Sequence, residues 1–71
     1  MEVLVMFRKE MRTAVFASLQ KIGFRRLSGY EAGVGEYSHI HGNIPDECFD
    51  AIRTIEGIEN VENTEDYDSY E

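Results

Sequence analysis

Apolar side chains along this chain switch between two periods, and the switches lay out its elements. From Val3 to Phe7 every position is apolar. Because side chains alternate across a strand, Val3, Val5 and Phe7 share one face and Leu4 and Met6 the other. A short run that is apolar on both faces predicts a central strand. From Lys9 to Ile22 the period lengthens to that of a helix. Met11, Ala14, Val15, Ser18, Leu19 and Ile22 fall on one stripe, and Gly23 stands just past its end as a stop. Phe16 lies outside the stripe and reads as an apolar side chain available to an interface. Phe24 to Tyr30 and Glu36 to Ile44 read as strands joined around Ala32-Gly33-Val34-Gly35. Pro45, followed by Asp46 and Glu47, predicts the start of a second helix. Its stripe is Cys48, Phe49, Ile52 and Ile55, with Ala51 at the edge, and Gly57 closes it before a last strand from Ile58 to Asn63. Thr64 to Glu71 is a polar tail, expected to be extended or frayed.

The order β-α-β-β-α-β predicts an α+β chain of the ferredoxin-like kind: a four-stranded antiparallel sheet with both helices on one face. Right-handed crossovers put the first and third strands in the centre and the second and fourth at the edges. Residues 1–63 then form one domain and 64–71 an acidic tail. On the third strand Tyr37, His39 and His41 alternate onto the helix-free face, while Ser38, Ile40 and Gly42 turn under the helices. Leu4, Met6, Tyr37, His39 and His41 are therefore the expected partner-binding residues. A homodimer through the same face is among the expectations.

Size and charge narrow the function classes. A chain of 71 residues buries only about 60% of the surface it exposes when unfolded, which leaves little room for a buried catalytic site with its own supporting shell. The chain therefore reads as a non-enzyme. Its net charge of −7 is unevenly spread: residues 1–30 carry six bases and two acids, and residues 31–71 one base and twelve acids. Such a chain repels phosphate backbones, so direct nucleic-acid binding is not expected, and a basic protein partner is favoured. Glu56, Glu59, Glu62, Glu65, Asp66 and Asp68 form the expected acidic surface. No run approaches a membrane span, and the opening residues lack the basic stretch of a signal peptide. With Cys48 alone, no internal disulfide forms, and a reducing, cytoplasmic compartment is the simplest expectation.

Candidate chemistry is thin. His39 and His41 on one strand face supply two nitrogens of a metal shell, with no third ligand spaced to join them, so no metal is expected. The stripe carrying Cys48 packs on the opposite side of the sheet from both imidazoles, which excludes a Cys–His nucleophile. Phosphate-binding and nucleophile-elbow motifs are absent, and no cofactor is expected. Phe7 and Tyr37 fit the aromatic pattern of RNA-binding sheets only loosely, without its basic residues.

Two segments nevertheless carry a family resemblance. The run from Phe49 to Gly57 followed by Ile58-Glu59-Asn60-Val61-Glu62, together with the opening Val3-Leu4-Val5-Met6-Phe7-Arg8, resembles the propeptide or inhibitor domain of subtilisin-like serine proteases. That resemblance implies that the open sheet face docks on the protease and that the tail from Asp66 to Glu71 runs through the substrate cleft. Tyr70 would then enter the specificity pocket, with Tyr67 three residues upstream. Heavy-metal-binding domains share the helix–glycine–strand phrase, but their C-x-x-C loop is replaced here by Phe7-Arg8-Lys9-Glu10-Met11. Two alternative functions stand beside the inhibitor: a phosphate-mimicking, phage-type acidic inhibitor of a nucleic-acid-binding enzyme, and an ACT-like regulatory or self-associating module.

Overall fold

The computed structural model describes residues 1–64 and, at Tyr30, the backbone alone. Its strands are β1 (Glu2–Arg8), β2 (Arg25–Val34), β3 (Tyr37–Asn43) and β4 (Ile58–Asn63). Its helices are α1 (Arg12–Lys21) and the short α2 (Phe49–Ile52), each entered through a 3-10 turn, at Lys9–Met11 and Asp46–Cys48. The strands form one antiparallel sheet in the order β2-β3-β1-β4, which places β1 and β3 in the middle.

Alternation along β1 builds the layers. Val3, Val5 and Phe7 are each 0% exposed, whereas Leu4 and Met6 are half-buried. The buried set joins Ile40 of β3 and Val61 of β4 to Val15 and Leu19 of α1 and to Ile52 of α2 in a single core. Both helices therefore cover the same side of the sheet. Each large apolar side chain buried there contributes about 1.5–3 kcal/mol.

Helix α1 ends where Gly23 allows it. Gly23 takes φ +91, its N–H bonds the Gln20 carbonyl at 3.2 Å, and the Phe24 N–H bonds the Leu19 carbonyl at 3.0 Å. This pair of bonds satisfies the last carbonyls in the Schellman manner and turns the chain into β2. On the covered side Gly42 leaves room for Phe24: a Cβ there would stand 2.6 Å from the Arg25 carbonyl oxygen and would overlap the Phe24 ring.

The elements depart from the sequence pattern in four places. The second helix spans four residues rather than the stretch from Pro45 to Ile55. Beyond Ile52 the bonds shorten to three-residue turns, Thr54 N–H to Ala51 O and Ile55 N–H to Ile52 O, and the Thr54 hydroxyl also donates to Ala51 O at 2.7 Å. Second, β2 runs on to Val34, so the hairpin turns over Gly35 and Glu36 alone. Third, Phe16 does not stand clear of the core. It is half-buried, packs against the core and meets Phe7 edge-on at 5.5 Å. Ala14, assigned to the stripe, is exposed instead. Fourth, Thr64 is not frayed with a solvent-exposed tail: it is 7% exposed, and its N–H bonds the Glu2 carbonyl at 2.9 Å, carrying the pairing of β4 with β1 one residue further.

Candidate functional site

The helix-free face is built by strand register. Leu4 stands opposite His41 on β3 and Glu62 on β4, Met6 opposite His39 and Asn60, and Arg8 opposite Tyr37. All five described candidates for partner binding, Leu4, Met6, Tyr37, His39 and His41, are thus on one face, and all are half-buried. Phe7 points the other way, fully buried under the helices, which removes it from any aromatic platform.

Both ends of this face are tied down. At one end His41 Nε2 lies 3.1 Å from Glu2 Oε2 and 3.1 Å from Thr64 Oγ1, and the Thr64 hydroxyl donates to Glu2 Oε2 at 3.3 Å. With a carboxylate and an already committed hydroxyl oxygen around it, Nε2 carries the proton and donates. Both partners engage the same ring nitrogen. A catalytic relay needs one partner on each, so this cluster fastens β1, β3 and the end of β4 rather than activating the hydroxyl. At the other end the Arg8 guanidinium stands 5.9 Å from the Tyr37 ring centre. It also bonds Glu10 at 3.0 Å and reaches Glu59 at 3.5 Å. The Glu10 hydrogen bond is the main reason Arg8 holds its proton more tightly than usual. Between the tied ends stand Leu4, Met6 and His39.

The expected acidic surface is only partly gathered. Glu56, Glu59 and Glu62 are exposed, Glu59 shares its charge with Arg8, and Glu62 sits beside Leu4 on the open face. Glu65, Asp66, Tyr67, Asp68 and Tyr70 lie outside the described residues. Cys48 packs against the core on the covered side, away from both histidines. Among the described residues no group of three or more His, Cys, Asp or Glu side chains is arranged to hold a metal ion. No helix there is long and apolar enough to cross a membrane.

Sequence reading missed the Glu2–His41–Thr64 cluster and the Arg8 cover on Tyr37. The signal for the first was present: Glu2 precedes Leu4 by two and so shares its face. Thr64 carried no such signal, because nothing in the residues places a post-strand threonine beside the start of β1. Comparison with protein-family models, curated proteins and solved structures found no match to this chain.

Proposed function

We propose that this chain is a ferredoxin-like, non-catalytic protein-binding module that receives another protein on its helix-free face, as an inhibitor of a subtilisin-type serine protease. The observation that carries the reading is the half-buried pair Leu4 and Met6 in the middle of a face whose two ends are fastened by side-chain bonds. An apolar centre with a polar rim suits a partner that excludes water from the middle and tolerates it at the edge. The pairing of Glu59 with Arg8 weakens the case for a row of phosphate-mimicking carboxylates.

The test is a titration of the intact protein against a subtilisin-type protease, followed by intact-mass analysis. Slow, tight inhibition is expected, abolished by Met6→Glu and by removal of residues 67–71. Rapid digestion without inhibition rejects the protease as partner. A stable dimer dispersed by Met6→Glu gives the face to a second copy instead.

A further inference from the structure

Strand β2 parts from β3 midway along its length and then rejoins it. Arg26 pairs with Gly42 and Glu31 with Ile40, so the four residues 27–30 stand against the single His41 of β3. An excursion of that size cannot follow the pleat, and it falls on a strand that ends the order of the sheet. Leu27 is 48% exposed, and Ser28 and Gly29 are exposed beside it. A Cβ built on Gly29 would meet nothing within 4 Å. The excursion therefore holds its side chains out in solvent.

The residues leading into it read Arg25-Arg26-Leu27-Ser28, which sets two guanidiniums three and two residues ahead of an exposed hydroxyl. The other serines among the described residues are half-buried Ser18 and buried Ser38. The net charge of the whole chain is not what an incoming group meets here. Exposed charges are screened beyond about 8 Å at physiological salt, and residues 1–30 carry six bases against two acids. Glu31, the acid that follows, is gripped by Arg12 through two hydrogen bonds of 3.0 and 3.2 Å.

We infer that Ser28 is a phosphorylation site for a serine kinase whose peptide cleft is lined by carboxylates. An extended chain sends consecutive side chains to opposite sides, so Arg25 and Arg26 meet both walls of such a cleft, each through charge-assisted hydrogen bonds. Arg26 leaves its place 5.6 Å from the Phe16 ring centre to do so. Being exposed, it trades one set of surface contacts for another at small cost. In the transfer itself Ser28 Oγ bonds the γ-phosphorus of a magnesium-bound ATP that the kinase supplies. The bond from that phosphorus to the bridging oxygen breaks, ADP leaves with the electron pair, and the serine proton passes to a carboxylate of the kinase. The product adds a charge of about −1.5 to −2 next to Arg25 and Arg26, the two bases of β2. Modification thus cancels the positive end of this strand.

The inference does not rest on the open-face reading, and the two fail separately. The intact protein is incubated with magnesium-ATP and the catalytic subunit of cyclic-AMP-dependent protein kinase, a probe that reads arginines ahead of serine, and followed by intact-mass analysis and peptide mapping. A single phosphoryl group on Ser28 is expected, and none on Ser28→Ala. Arg25→Ala and Arg26→Ala should each slow labelling by roughly tenfold or more with the circular dichroism unchanged. Met6→Glu should be labelled at the parent rate. Failure to label the folded protein overturns the inference, as does labelling that needs urea, since the fold would then withhold the segment. Labelling of another hydroxyl in place of Ser28 overturns it too. So does an equal rate in both arginine variants, which removes the guanidiniums from recognition.

Discussion

Arg12 and Glu31 join α1 to β2 at the point where β2 returns to its partner strand. The guanidinium grips the carboxylate with Nη2 at 3.0 Å from Oε1 and Nε at 3.2 Å from Oε2, and the Ser38 hydroxyl stands 3.1 Å from Oε2. The Arg12 hydrogen bond is the chief reason the Glu31 carboxyl titrates below its ordinary value of 4.5; burial, the next largest influence, pulls the other way. A carboxyl that is more acidic folded than unfolded stabilises the fold above its unfolded pKa and loses that contribution as pH falls through the folded one. Thermal melts of the parent and Glu31→Gln should therefore differ most near neutral pH and converge as pH drops below about 4.5. Added salt should narrow the neutral-pH difference, since Arg12 is half exposed. A gap that persists in strong acid would assign the effect to packing instead. The pair was not legible in the sequence: its residues are 19 apart, and nothing in the hydrophobic pattern orients a charged helix residue toward a particular strand position.

The elements themselves were legible wherever a local rule was strong. Gly23 after a helical stripe announces the end of α1, and the structure gives it the left-handed backbone that the rule requires. A Cβ at Gly23 would approach Pro45 no closer than 3.6 Å. Gly23→Ala should therefore cost only the conformational penalty, about 1–2 kcal/mol in urea unfolding. A negligible cost would mean that the turn after α1 relaxes to another geometry. Periodicity failed where tertiary demands override it. Cys48, Phe49, Ile52 and Ile55 repeat like a full helix, yet the chain tightens after Ile52, and the Gly57 carbonyl is fixed by the Arg8 N–H at 2.9 Å. Phe16 was misjudged for a related reason. A stripe drawn at a constant angle has one width, but a sheet face is wide enough to take Phe16 as well, against Phe7. The four-residue excursion in β2 had no legible cause, since Leu27, Ser28 and Gly29 alternate no differently from a paired strand.

At the scale of the whole molecule, function and fold meet in the sidedness of one sheet. Core side chains from both helices lie against Val3, Val5 and Phe7, so consecutive residues of β1 face two different environments. Phe7→Ala should remove about 3–5 kcal/mol, because it empties a buried ring site. Met6→Lys, one residue earlier, should cost less than about 1 kcal/mol, because the ammonium reaches water while its stem covers the same half-buried patch. The contrast is sharper than either value alone, since both substitutions sit in the same strand and share its hydrogen bonding. Urea unfolding measures both. A Met6→Lys penalty comparable to that of Phe7→Ala would mean that the side of β1 facing His39 and Asn60 is covered in solution. The surface on which a partner is proposed to dock would then already be occupied, and the sheet would be a middle layer rather than an outer one.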